Sequence, residues 1–281
     1  MRPTIKEFDH LRDFTVSALT YADYTYPVYR QGTGPAVIII HEVPTITPEV
    51  ANFARRVAAA GFTVFMPCLL GVAGTPFSLT GAVKEIAMSC VRKEFAVFDA
   101  NKSSPVTDFL RGLSKAAHDE IGGSVGVLGM CLTGNFALTL ALDPWVNAPV
   151  LSQPSLPVGV TTKQKMGLHL SPEGVEILQK RVQDEQLKIL GLRFSHDPLC
   201  PPQRFCALQQ TFGEGFEGIT IDSSLRNPYG NSITAHSVLT TDLIDREGHP
   251  TLVALQRVLR FFRSGWPLRC IDEINRLTVT G

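Results

Sequence analysis

The stretch at 36–42, AVIIIHE, carries five apolar residues in succession before its first polar side chain. A strand with one face in water alternates apolar and polar residues, whereas one that is apolar throughout is covered on both faces, as in a parallel sheet flanked by helices. The next thirty residues fit that reading. TPEVANFARRVAAAG predicts a helix with Thr47 as N-cap, Pro48 in its first turn and Gly61 closing it, and FTVFMP predicts the next strand. Strand, helix and strand in this order make a right-handed crossover unit.

The alternation continues along the chain. A helical region at 79–98 precedes SSPVTDFLRGLSKAAHDE, a helix capped by Ser104 with Pro105 at its start. SVGVLGM predicts a strand, CLTGNFALTLALD a helix, APVLSQ and LKILGLRF strands, PPQRFCALQQTFG a helix, and PTLVALQRVLRFFRSG a last helix ending at Gly265. Two alternating stretches, at 15–19 and 24–30, predict edge strands ahead of the QGTG turn. The expectation is one α/β domain over residues 1–281, with a mostly parallel central sheet and helices on both faces. Residues 154–186 fit the alternation less well and read either as a lid over a pocket or as a surface excursion.

Composition narrows the function classes. Acidic and basic residues balance at 26 each, so no electrostatic footprint points to nucleic acid or an anionic membrane surface. The N-terminal residues lack a signal-peptide pattern, no segment is apolar enough to span a bilayer, and the expected setting is the cytoplasm. Six cysteines, Cys68, Cys90, Cys131, Cys200, Cys206 and Cys270, show no metal-ligand spacing and are expected to be mostly buried thiols, with no metal or other cofactor. A small neutral or singly charged molecule suits such a chain as substrate.

The chemistry is expected at Cys131, in GVLGMCLTG, where a strand ends and a helix begins. In a parallel sheet, active groups collect at the carboxyl ends of strands, beneath the amino termini of the following helices. This turn resembles the nucleophile elbow of α/β-hydrolases, in which a glycine-flanked nucleophile is projected into the pocket. Gly129 fits that pattern, but Thr133 stands where the second glycine is usual and Gly134 comes one residue later. The alternative for Cys131 alone is a small buried hydrophobe. An acid and then a histidine should come at later strand ends. Asp197, in SHDPLCPP, and His249, in EGHP just before the last helix, fall in that order; His236 precedes an apparent strand and fits less well. The oxyanion of an attacked carbonyl would meet the backbone N–H of Leu132 and one from the loop after VIIIHE, assigned to Val43.

With these residues in place, the chain resembles the dienelactone hydrolase family of the α/β-hydrolase superfamily. The likeness rests on GVLGMCLTGNFAL, SHDPLCPPQRF, EGHP and IIIHEVPTITPEVANFARRVAAAGFTVFMPCLLG, and spans roughly residues 35–265. It implies an α/β-hydrolase fold and an esterase that cleaves a carboxylic ester or lactone through Cys131, His249 and Asp197. It further implies that Glu42, after the strand, contacts the cysteine and controls its ionisation. The family's two carboxylate-binding arginines are not matched: no arginine closely follows His249, and Arg92 lies about a helical turn from the first position. A thioesterase or acyl transferase with the same residues, and a non-catalytic binding protein on this fold, stay open as alternatives.

Overall fold

The computed structural model describes residues 9–78, 105–155 and 166–265. The expected helix at 79–98 and Arg92, Cys90 and Cys270 lie outside them, as do residues 156–165 of the expected lid. The described residues form an eight-stranded sheet: β1 Thr15–Tyr21, β2 Tyr24–Gln31, β3 Ala36–Ile40, β4 Thr63–Pro67, β5 Val125–Met130, β6 Val146–Ser152, β7 Ile189–Phe194 and β8 Phe216–Ile221. Their order is β1-β2-β4-β3-β5-β6-β7-β8. β1–β2 and β2–β4 are antiparallel, and every pair from β4 to β8 is parallel. The β1–β2 hairpin turns through Ala22 and Asp23, both at positive φ (48° and 68°), which matches the twist of its strands.

Among the described residues, six α-helices accompany the sheet: α1 Pro48–Ala59, α2 Pro105–Ile121, α3 Phe136–Leu140, α4 Pro172–Asp184, α5 Pro202–Phe212 and α6 Pro250–Ser264. Thr47 caps α1 as expected, its side-chain oxygen accepting the Val50 N–H. The unbroken apolar strands find cover on both faces. Val37 and Ile39 of β3, with Leu128 and Met130 of β5, pack in one cluster with residues of α1 and α6. Ile38 and Ile40, with Val125 and Val127, pack in the other with residues of α2, α3 and α5. This arrangement is the α/β-hydrolase fold.

Two elements depart from the sequence expectation. The helix expected from Cys131 is a 3-10 turn over Cys131–Asn135 followed by the short α3. β8 is absent from the strands that the sequence predicts, and the apparent strand after His236 is a series of turns. The consequence of that exchange falls on the site.

The polar helix α4, within the 154–186 segment, has a structural role. Arg181, 5% exposed, donates from Nη1 to the carbonyls of Ala141, Asp143 and Val146 at 2.6, 2.9 and 3.0 Å, and from Nη2 to Asn147 Oδ1 at 2.6 Å. It thereby satisfies backbone acceptors between α3 and β6, at the edge of the sheet opposite Cys131. Arg181→Ala should therefore lower unfolding stability by about 3 kcal/mol in urea titration, because buried carbonyls lose a charged donor. A change below about 0.5 kcal/mol would show that water replaces the guanidinium at little cost.

Candidate active site

β5 ends in a sharp reversal at Cys131, which holds a φ of +54°. A left-handed conformation is costly for a residue with a side chain and persists where the surroundings fix it. The glycines explain the fit. A Cβ on Gly129 would lie 2.3 Å from the Thr133 carbonyl oxygen, and one on Gly134 would lie 2.8 Å from Pro154 Cα. Thr133 is fully buried; its hydroxyl accepts the Met130 N–H at 3.1 Å and lies within 3.0 Å of the carbonyls of Met130, Ile40 and His41. It has one proton to donate among those three oxygens. The threonine that interrupts the glycine pattern thus bolts the elbow to the end of β3. Asn135 adds a second fastening: its Nδ2 donates to Ser155 O, the Ser155 N–H donates to Cys131 O at 2.9 Å, and the buried Arg204 donates to Asn135 Oδ1.

Asp197 follows β7, with its side chain fully buried. Oδ1 accepts the Leu199 N–H at 2.9 Å, and Oδ2 accepts from His236 Nδ1 at 2.7 Å. His236 therefore stands where the sequence placed His249. Its Nε2 is buried without a hydrogen-bond partner, and the ring interacts with the Cys131 thiol. Burial disfavours the charged ring, yet the bond to Asp197 and the interaction with Cys131 outweigh it and raise the His236 pKa well above the ordinary value.

His249 is occupied elsewhere. It is the N-cap of α6: Nδ1 accepts the Thr251 N–H at 3.2 Å and meets Thr251 Oγ1 at 2.7 Å, while Nε2 donates to Tyr229 O at 3.2 Å. Both ring nitrogens are thus used, and the ring meets neither Cys131 nor Asp197. The physical reason is that β8 ends at Ile221 and the connection after it, 222–249, carries both histidines: His249, at its far end, is held at the α6 N-terminus by Thr251 and Tyr229, and His236, earlier in it, is the one bonded to Asp197. The weak signal that identifies this connection is FEGITI, whose alternation makes a short edge strand.

Glu42 is 5% exposed and takes three donors: Thr240 Oγ1 on Oε1, Ser237 Oγ at 2.7 Å and Gln153 Nε2 at 3.2 Å on Oε2. Burial raises its pKa, while the hydroxyl bonds and the charge of His236 pull the other way. These partners are on the histidine loop and after β6; its hydrogen bonds run to them and not to the thiol. His41 beside it is fully buried, and burial lowers its pKa to about 4. The neutral ring accepts the Leu69 N–H at 3.0 Å and donates to Glu42 O at 2.7 Å, a structural brace. Val43 and Leu132 belong to one apolar cluster, against which Cys131 packs. Of the other described cysteines, Cys68 and Cys200 are buried and Cys206 is exposed; burial pushes the Cys200 thiol up to about 12. Among the described residues, no cluster of His, Cys, Asp or Glu is arranged to hold a metal, and no helix is long and apolar enough to cross a membrane.

The model of the dienelactone hydrolase family matches residues 24–169, more than half of the chain. The chain belongs to the dienelactone hydrolase family. Solved structures agree at the level of fold. A Klebsiella pneumoniae subsp. pneumoniae protein assigned as a dienelactone hydrolase is 18% identical, with a TM-score of 0.59, covering 89% of this chain and 98% of that one. The dienelactone hydrolase of Anabaena variabilis is 13% identical, with a TM-score of 0.55, covering 91% and 100%. The thioesterase domain from the curacin biosynthetic pathway is 10% identical, with a TM-score of 0.54, covering 88% and 99%. No curated protein sequence matches the chain closely enough to count.

Proposed function

We propose that this member of the family is a carboxylic-ester or lactone hydrolase that works through Cys131, His236 and Asp197. The observation that carries the reading is the 2.7 Å bond between Asp197 and His236, whose ring also interacts with the Cys131 thiol. Three loops at the carboxyl edge of the sheet supply the three groups, in the chain order usual for the fold.

In the proposed reaction, His236 Nε2 takes the thiol proton and Cys131 Sγ attacks the ester carbonyl. Asp197 holds the ring in the correct tautomer and stabilises its cationic form. The backbone N–H groups of Leu132 and Val43 receive the oxyanion. Collapse breaks the bond to the leaving alcohol, which takes the proton from His236, and leaves a thioester on Cys131. His236, again neutral, removes a proton from water, and attack by that water frees the acid and restores the thiol. Glu42, in this scheme, serves the loop that carries the base. A reduced thiol at the centre suits a cytoplasmic setting.

A panel of lactones, aryl esters and acyl thioesters, assayed with wild type, tests the function. Turnover of neutral esters or lactones is the expected result. Turnover of acyl thioesters alone would redirect the reading to a thioesterase, and no turnover of any of them would leave the site as a binding pocket.

A further inference from the structure

His236 sits in a loop without regular structure, yet a base must hold its ring within a narrow range of angle and distance to reach the thiol. One carboxylate supplies that restraint. Asp242 Oδ2 accepts both the His236 N–H and the Ser237 N–H, each at 2.8 Å. The Asp242 N–H in turn donates to Ser237 O at 3.1 Å, so residues 236–242 close on themselves. Glu42 grips the same loop from β3 through Ser237 Oγ and Thr240 Oγ1. The charged and titratable groups around the ring are accordingly Asp197, Cys131, Glu42 and Asp242.

We propose that Asp242 is a positioning residue for the base: by accepting two successive backbone N–H groups it fixes the main chain at His236 and so aims Nε2 at Cys131. Its importance lies in the place of its oxygen and not in its charge. Asparagine carries an acceptor oxygen at the same reach without the charge, whereas glutamate keeps the charge and moves the oxygen by one methylene. These two variants separate the effects, and both keep a polar group that can hold the loop.

This inference rests on His236 being the partner of Cys131, and the test keeps the two apart. The readout is the rate of Cys131 alkylation by iodoacetamide against pH, followed by peptide mapping, which needs no substrate. Wild type should react at lower pH than His236→Ala; identical profiles for those two would remove the pairing itself. Given that difference, Asp242→Asn should stay within about threefold of wild type with the same profile. Asp242→Glu should react about tenfold more slowly at neutral pH, with its profile moved toward that of His236→Ala. A wild-type profile for Asp242→Glu, or an equal loss in Asp242→Asn, would overturn the positioning role.

Discussion

Replacing His236 with alanine is expected to lower kcat for ester hydrolysis by about a thousandfold or more, with KM little changed. The ring is the group between the buried carboxylate of Asp197 and the thiol, and among the described residues no other histidine is hydrogen-bonded to that carboxylate. Its loss removes the acceptor for the thiol proton and the donor for the leaving alcohol together. His249→Ala should behave differently. It should cost about 1 kcal/mol of stability through the lost cap of α6 while leaving kcat within a few-fold. His249→Asn, which keeps an acceptor for the Thr251 N–H, should recover most of that stability. Equal loss of kcat in the alanine variants of both histidines would remove the distinction between base and cap.

The contrast between these two histidines shows where the sequence is legible and where it is not. The central strands are readable because β3, β5 and β7 are buried at every residue, and runs as apolar as β3 and β5, or as β7 up to Arg193, are rare outside a strand covered on both faces or a buried helix. Cys131 and Asp197 are readable for a related reason: each comes shortly after such a strand. His236 is not, because the strand before its loop, FEGITI, is an edge strand with partly exposed positions and an internal glycine. The SVLTTDL run after it has strand-like composition, but its polar groups are used locally and across the chain. Asp242 takes the backbone N–H groups, and Glu42, 195 residues from Ser237 and 198 from Thr240, takes the hydroxyls. Contacts at such separation leave no local pattern. His249 misleads because the position ahead of a final helix also suits a cap, and here the imidazole takes the role usually given to serine or aspartate.

Thr133 and Glu42 carry the same lesson. A threonine in place of an elbow glycine reads as a defect until the carbonyls of Ile40 and His41, over ninety residues earlier, are seen around its hydroxyl. Glu42 occupies the position that the family resemblance links to the thiol, yet its oxygens are taken by the histidine loop and by Gln153. The turn at Cys131 and the loop of His236 are thus both anchored at the end of β3.

The other large effect is expected at the nucleophile. Cys131→Ala should reduce turnover of esters to the uncatalysed background, a loss of at least about a thousandfold in kcat. Alanine meets the same left-handed backbone cost at this position as cysteine does, so the melting temperature should change little and lost activity will not reflect lost fold. Neither buried Cys200, its thiol pushed up to about 12, nor the exposed Cys206 should take over the reaction.

The most direct measurement is the mass of the protein during turnover. Wild-type enzyme mixed with an activated aryl ester, quenched in acid within the first turnovers and digested, should carry one acyl group on the peptide containing Cys131. That adduct should be absent from Cys131→Ala and should accumulate far more slowly in His236→Ala. Steady hydrolysis with no acyl group on Cys131, or with the acyl group on another residue, would contradict the account.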